Sequence, residues 1–303
     1  MKARQAGLTL AELLVALALG LGVLLAGAVL MVGANKSYAA HADAAAIDDA
    51  GRFALALIGR AVRQGAFIDW EGLKGAPPAR DRPAPLAGLD NRALARTSAG
   101  IDAPLNAAVN GSDVLAVRYP GAGEAPDGDG SVLDCAGFPI PATREGWSIF
   151  YVARNGDGQA ELRCKYRGDA NWSADAVVAG VDGFQVLYGF DTDTPPDGIP
   201  NRYVNATALA AFDAALPAAL RKEKTSWKRV ASVQVALLLH GERPAAGLVQ
   251  PPAYALFGPA YAAEQKGDMG VVLTQAELRA NGPLRSRRLF TAVFAVGAAQ
   301  PEP

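Results

Sequence analysis

The chain has 303 residues, half of them hydrophobic, which is enough apolar material for one large domain or two ordinary ones. Lys and Arg total 29 and Asp and Glu total 30, so a net charge of −1 leaves no global field to attract nucleic acid or an anionic membrane surface. Two His and two Cys are too few for an ordinary zinc site and leave little for His-based catalysis.

The N-terminal region carries a long apolar run. Lys2 and Arg4 precede it, Glu12 is the charge near its start, and residues 13–35 contain no charge over 23 positions. A helix of that length spans about 35 Å, which is enough for a hydrocarbon core of roughly 30 Å. Because basic residues precede the run, we expect this end to stay in the cytoplasm and the rest to lie outside. The sequence therefore predicts a single-pass membrane helix.

A cleaved secretory signal is the alternative reading of this run. Such a signal has an apolar stretch of about 7–15 residues before a small-x-small site. Ala40-His41-Ala42 fits that site and would give a mature start near Asp43. The apolar run is too long for this class, however, and helical patterning continues through the site.

The helical pattern extends well beyond the apolar run. No Pro occurs before Pro77, so one helix is predicted from Leu8 to about Gly65. In its second half, small or apolar residues recur at helical spacing, which predicts a face that packs on a downstream domain. These residues are Ile47, Ala50, Ala54, Leu57, Ile58, Ala61 and Val62, with Arg52, Arg60 and Arg63 largely on the other face.

The rest of the chain is rich in strand signals separated by turn residues. The predicted strands cover residues 113–119, 147–154, 160–167, 184–190, 228–240 and 288–296. The turn at residues 155–158 predicts a hairpin, and residues 206–216 predict a short helix ended by Pro217. Because few helices separate the later strands, the fold class is α+β, with an antiparallel sheet packed on the long helix.

The start of the apolar run has a recognisable motif. Gly7-Leu8-Thr9-Leu10-Ala11-Glu12, followed by apolar residues, resembles the processing motif of type IV pilins and type II secretion pseudopilins. The resemblance implies cleavage between Gly7 and Leu8 by a prepilin peptidase, and methylation of the new amine of Leu8. The family usually has Phe at this first mature position, where this chain has Leu8.

Glu12 is the fifth residue of the mature chain, the position that the family reserves for Glu. A carboxylate in a membrane segment usually marks function, and here it would neutralise an N-terminal amine in a low-dielectric environment. That amine belongs to the same chain or to a neighbouring subunit, in which case Glu12 is an assembly determinant. The alternative is that Glu12 lies close enough to the cytoplasmic interface to reach water.

Later segments narrow the resemblance to the PilW-like minor pilins. They are GRFAL at 51–55, GSDVL at 111–115, IFYV at 149–152, GFQVLYG at 183–189, NRYV at 201–204 and RLFT at 288–291. Residues 242–287 look like an insertion before the last strand. The resemblance implies a leader at 1–7, a transmembrane helix at 8–34, its periplasmic continuation at 35–66, and a β-rich periplasmic domain at 67–303.

By this resemblance the chain is a type IV pilus minor pilin that primes pilus assembly and supports adhesion and twitching motility. It implies no enzyme activity and no cofactor. The implied partners are prepilin peptidase, other minor pilins, the major pilin, a tip adhesin and the inner-membrane assembly platform. It implies residence in the inner membrane and then in the surface pilus. The alternatives are a type II secretion pseudopilin, a secreted or lipid-anchored binding protein, and an outward-facing hydrolase, for which no catalytic constellation is visible.

Cys135 and Cys164 form an even pair on the outward side, 29 residues apart, and are predicted to form a disulfide. The alternative is two free thiols, and the spacing excludes a redox C-x-x-C motif. A further candidate is the acidic loop with Asp191, Asp193 and Asp197, a weak calcium site because a Pro pair displaces the third carboxylate and no closing Glu follows.

Three smaller features are predicted to be structural or solvent-facing. Asp127 and Asp129 are a still weaker calcium candidate than the acidic loop. His41 and His240 have no apparent catalytic partner. The basic residues Arg221, Lys222 and Lys224 are too few to indicate an anionic partner.

Overall fold

The computed structural model describes residues 9–65, 82–106, 108–244, 250–280 and 282–296. The chain divides into two units, the first ending at Ala46 and the second beginning at Ile47. Helix α1 (Leu10–Gln64) supplies the described part of the first unit and continues into the second. The long helix predicted from the absence of Pro is therefore confirmed over the described residues.

In the first unit, α1 is apolar and exposed. Its most apolar 18-residue window has a mean hydropathy of 2.7, and none of that window is buried within the chain. Among the described residues, this is the one helix long and apolar enough to cross a membrane. An apolar helix with no buried residues in that window is not the core helix of a soluble domain.

In the second unit, α1 buries the face that the sequence predicts. Gly51 and Gly59 lie on this face, and Ala50 and Leu57 pack against its edges. The buried apolar side chains of this part of α1 are those of Ile47, Ala54, Ile58, Ala61 and Val62. This face joins the main hydrophobic core, which it shares with both large sheets.

The first sheet has five antiparallel strands in the order β1-β4-β5-β6-β7. Its strands are β1 (Leu86–Leu89), β4 (Val114–Pro120), β5 (Glu145–Arg154), β6 (Ala160–Arg167) and β7 (Trp172–Ala179). β5 and β6 form the predicted hairpin. A small hairpin of β2 (Ala93–Leu94) and β3 (Pro104–Leu105) lies between β1 and β4 in the chain.

The second sheet has four antiparallel strands in the order β13-β10-β8-β9. Its strands are β8 (Val181–Phe190), β9 (Arg202–Val204), β10 (Val230–Pro244) and β13 (Arg285–Ala295). Helices α2 (Ala206–Ala214) and α3 (Arg221–Lys224) connect β9 to β10. Every residue of β8 is buried, so both faces of this sheet are covered at that strand.

The two sheets are joined at the start of β4. The backbone N–H of Asp113 donates to the carbonyl of Phe184, and the Asp113 carboxylate accepts from the N–H of Val186 at 2.9 Å. Its other oxygen accepts from the N–H of Asn91 at 3.0 Å. Burial raises the pKa of Asp113 well above its usual range, and the charge of Asp90 adds to that rise.

The segment before the last strand folds over the outer face of the second sheet. It contains β11 (Ala253–Ala255), α4 (Gly258–Glu264), β12 (Val272–Thr274) and α5 (Gln275–Ala280). Leu256, Leu273 and Leu278 bury themselves against Ala236 and Leu238 of β10. Since neighbouring residues of β10 face the main core, the inserted segment explains why β10 is apolar on both faces.

Candidate functional site

The first turn of α1 is closed by a reciprocal pair of polar side chains. An oxygen of Glu12, Oε2, accepts from the backbone N–H of Thr9 at 2.9 Å and from its hydroxyl at 3.0 Å. The backbone N–H of Glu12 donates to Thr9 Oγ1 at 3.3 Å. This is a capping box, in which the spacing Thr-x-x-Glu satisfies N–H groups that have no partner inside the helix. Sequence reasoning missed this role of Glu12, although the spacing was visible.

The capping box uses one oxygen of the Glu12 carboxylate. Within the described residues, the hydrogen bonds of Glu12 involve Oε2 and its own backbone N–H, so Oε1 is left to accept from another donor. Gly7 and Leu8, the predicted processing residues, lie outside the described residues. Glu12 therefore combines a local capping role with an available carboxylate oxygen at the start of an apolar helix.

The second half of α1 lies on β13 through two glycines. A Cβ placed on Gly51 would be 2.5 Å from ring atoms of Phe290, and one placed on Gly59 would be 2.5 Å from a ring atom of Phe294. Cβ atoms do not approach other heavy atoms this closely, so glycine permits this contact. Each ring fills the space that a side chain on the helix would occupy, and these two contacts fix where α1 lies on the strand.

Polar contacts hold the end of α1 to a loop before β5. A guanidinium N–H of Arg60 donates to the backbone carbonyl of Asp134 at 2.9 Å, and the Gln64 amide donates to the carbonyl of Leu133 at 2.7 Å. Nearer its middle, Asp48 forms an ion pair with Arg288 of β13. Arg60 was predicted to lie largely on the exposed face, and its length lets it reach back to this loop.

Cys135 and Cys164 are joined by a disulfide, with their Cα atoms 5.8 Å apart. Cys164 lies in β6, and Cys135 directly follows the Leu133 and Asp134 carbonyls that hold the end of α1. The bond therefore ties the loop that contacts the helix to β6 of the first sheet. No free cysteine occurs in the described part of the chain.

The acidic loop brings its three carboxylates together. Ligand oxygens of Asp191, Asp193 and Asp197 lie within 4.8 Å of one another. Both oxygens of Asp191 already accept backbone N–H groups, from Asp193 at 2.9 Å and from Gly198 at 2.8 Å. The Asp193 carboxylate accepts from the Asn201 amide at 3.1 Å. These bonds explain the cluster as a self-capped turn, and calcium binding here stays a weak prediction.

Lys165 is a buried cation that sequence reasoning did not single out. Its Nζ donates to the carbonyls of Ala95 and Gly100, both at 3.0 Å, and to the hydroxyl of Ser98 at 2.9 Å. It also lies 5.6 Å from the centre of the Trp172 ring. The amine thus anchors the segment between β2 and β3 to the first sheet. Burial lowers the pKa of Lys165 to about 8.

The smaller candidates lie in separate elements of the chain. His41 is exposed on α1, and Asp129 accepts from the N–H and hydroxyl of Ser131 in a turn of its own. Arg221, Lys222 and Lys224 are exposed in α3. His240 is different: it lies within β10, and its Nδ1 is 3.1 Å from a carboxylate oxygen of Asp182.

Comparison with known proteins identifies a family for the second half of the chain. Residues 149–297 match the model of PilW, the type IV pilus-assembly protein W. No curated protein and no solved structure matches the chain. The matched region runs from within β5 to just beyond β13, so it includes the strand that contacts α1. Residues 149–297 are therefore PilW-like, and the apolar N-terminal helix and the antiparallel β domain give the chain a pilin-like α+β arrangement.

Proposed function

We propose that this protein is a minor pilin of the type IV pilus, which is processed at its N-terminus and primes pilus assembly. The observation that carries the proposal is an exposed apolar helix, with Glu12 in its first turn, attached to a domain that matches PilW. A helix of this kind needs an apolar environment, which a membrane provides before assembly and neighbouring helices provide within a filament. Adhesion and twitching motility would follow from the pilus that it helps to build.

The proposed maturation begins with insertion of the helix, with residues 1–7 in the cytoplasm and the β domain in the periplasm. Prepilin peptidase then cleaves between Gly7 and Leu8 and methylates the Leu8 amine. Glu12 Oε1, which is outside the capping box, accepts from the N-terminal amine of a neighbouring subunit. Pairing these two charges offsets the cost of placing each of them in an apolar filament core.

The partners of this step are the peptidase, the inner-membrane platform, other minor pilins, the major pilin and a tip adhesin. We infer no cofactor and no catalytic role for this chain. N-terminal mass spectrometry of the protein from native membranes and from sheared surface filaments tests the proposal. A chain that starts at Leu8 supports it, with or without a methyl group. A start at Met1 indicates a plain membrane anchor, and a start near Asp43 indicates a secreted protein, and each of these outcomes contradicts it.

Two variants separate the charge of Glu12 from its capping role. Glu12→Gln keeps an amide oxygen that can accept from the Thr9 N–H, because Gln also occupies this position of a capping box, but removes the charge. Thr9→Val keeps the charge and removes the hydroxyl of the box. If the charge drives assembly, Glu12→Gln abolishes recovery in sheared filaments and Thr9→Val retains it. The reverse result would reduce Glu12 to a helix cap.

A gene deletion distinguishes the pilus from the type II secretion system, whose pseudopilins share the N-terminal motif. We expect the deletion strain to lose surface pili and twitching while it continues to secrete proteins. Loss of secretion with normal twitching would assign the chain to the secretion system instead. Complementation with the wild-type chain is the control for both assays.

A further inference from the structure

A small cavity opens where β10 and β13 separate. His240 pairs with Arg287, but the next pairing joins Pro244 to Arg285, so β10 has two additional residues and bulges away from its neighbour. The cavity beside this bulge has a volume of about 60 Å³. Its charged and titratable lining groups are Arg154, Asp182, His240, Arg285 and Arg287.

Arg287 is buried against this cavity with part of its hydrogen-bonding capacity unused. Its side chain is 2% exposed, Nε donates to Asp182 Oδ2 at 2.6 Å, and Nη1 donates to the backbone carbonyl of Arg285 at 3.4 Å. Within the described residues, no acceptor contacts Nη2. A guanidinium carries five N–H donors, so Arg287 keeps donors at Nη2 for another acceptor.

Arg285 and His240 beside it also have hydrogen-bonding capacity that the described residues do not use. Arg285 makes one hydrogen bond from its guanidinium among the described residues, from Nη1 to the carbonyl of Gly241 at 3.3 Å. His240 Nδ1 is buried and forms no hydrogen bond of good geometry, although it lies 3.1 Å from Asp182 Oδ1. The described lining of the cavity thus has three guanidinium groups, of Arg154, Arg285 and Arg287, and one carboxylate, that of Asp182, which pairs with Arg287. The excess positive charge favours an anion.

The size and chemistry of the cavity fit one oxyanion group. By the volume that a buried water needs, 60 Å³ holds roughly four waters, or a single carboxylate or phosphate group. Arg binds both groups through paired N–H donors. Val109, Asn110 and Arg154 also line an adjoining open groove of about 550 Å³, with Ala93 and Leu105 on its apolar wall. That groove leaves room for the remainder of a larger ligand.

We propose that the cavity between β10 and β13 binds the carboxylate or phosphate group of an anionic ligand. Arg285 and Arg287 hold the group, and Arg154 lies where the cavity meets the groove. Asp182 keeps Arg287 in place and limits the net charge, so the site suits a ligand with one or two negative charges. This site lies in the second unit, whereas Glu12 lies in the first.

The test uses the full chain in detergent micelles, titrated with inorganic phosphate and, separately, with acetate at constant ionic strength. Binding is followed by calorimetry and by the shift of the thermal unfolding midpoint. We expect saturable binding of at least one anion. Saturation by phosphate alone supports a phosphate ligand, and saturation by acetate alone supports a carboxylate. Binding of neither anion at millimolar concentrations overturns the proposal.

Matched arginine variants distinguish a built site from bulk charge. Arg285→Gln should weaken binding by at least about tenfold, because it removes one charged hydrogen-bonding partner of the anion. Arg288→Gln is the control, since it removes the same charge from the same strand. Arg288 pairs with Asp48 and does not line the cavity. Equal weakening by the two variants would overturn the proposal. Arg154→Gln provides a second test that leaves the buried Asp182–Arg287 pair intact.

Discussion

The ring of Phe290 in β13 lies against Gly51 of α1 so closely that a Cβ on Gly51 would be 2.5 Å from ring atoms Cε2 and Cζ. Phe294 and Gly59 repeat this arrangement farther along the helix. The long helix of a pilin-like fold is thus positioned by ring-to-backbone contacts, for which the absence of a side chain on the helix is required.

We expect Gly51→Ala to destabilise the protein, although Ala favours a helix by about 1 kcal/mol relative to Gly. The added methyl group forces Phe290 to move, and overpacking of this kind typically costs about 1–3 kcal/mol. In a Phe290→Ala background the clash is absent, so the same substitution should become stabilising. Thermal unfolding of the four proteins of this cycle measures the sign change. A stabilising effect in both backgrounds would show that the ring moves freely.

The buried ion pair of Asp182 with Arg287 and the exposed pair of Asp48 with Arg288 form a natural comparison on one strand. Asp182→Asn should lower the free energy of unfolding by about 3 kcal/mol, because it leaves the Arg287 charge buried without a counter-charge. Asp48→Asn should lower it by less than about 1 kcal/mol, since Arg288 is 57% exposed. Denaturant titrations of both variants provide the measurement. Similar losses would contradict the assigned difference in burial.

The measured mass of the intact chain should be two hydrogens greater under reducing than under non-reducing conditions, because reduction of the Cys135–Cys164 bond adds one hydrogen to each sulfur. Replacing both cysteines by Ser should lower the free energy of unfolding by about 3.5 kcal/mol, because the unfolded chain regains the freedom of a closed loop. Alkylation of both thiols without reductant would disprove the bond. Loss of stability only in a single-Cys variant would instead point to mispairing between chains.

Lys165 should make stability depend on pH in the alkaline range. Burial lowers its pKa from 10.5 to about 8, so between these values the unfolded chain binds more protons than the folded chain. The free energy of unfolding should therefore rise with pH in this window, by up to about 1.4 kcal/mol per pH unit. Lys165→Met removes this contribution. We expect the stability of the wild type relative to this variant to increase from pH 8 to 10.5, and a constant difference would contradict the lowered pKa.

The hydrophobic pattern of the sequence was sufficient to predict a helix or strand where one face of that element is buried, because the apolar residues then repeat with its period. It predicted α1 and the strands that form the centres of both sheets, because their apolar residues repeat with helical or strand spacing. It missed β7 (Trp172–Ala179), an edge strand in which exposed Asp175 and Ala176 interrupt the apolar signal. It also placed the start of β13 at residue 288, three residues after its observed start at Arg285.

The hydrophobic pattern could not predict contacts between residues that are distant in the sequence. Asp182 and Arg287 are 105 residues apart, and no local signal links them. The Thr9–Glu12 capping box, in contrast, is a three-residue spacing that the sequence displays. Predicting a long-range pair therefore requires the register of the sheet, whereas a local pair can be predicted from its spacing in the sequence.

Strand β13 connects two parts of the molecule through the alternation of its side chains. Arg288, Phe290 and Phe294 contact the helix, whereas Arg285 and Arg287 line the cavity. A shift of one residue in its pairing with β10 would turn the two faces of β13 over, bringing Leu289 or Thr291 opposite Gly51 and Ser286 or Arg288 opposite Asp182. Any ligand that fills the cavity would favour the native register. Its binding energy would therefore also oppose sliding or detachment of β13, the strand that contacts α1, when force is applied to the molecule.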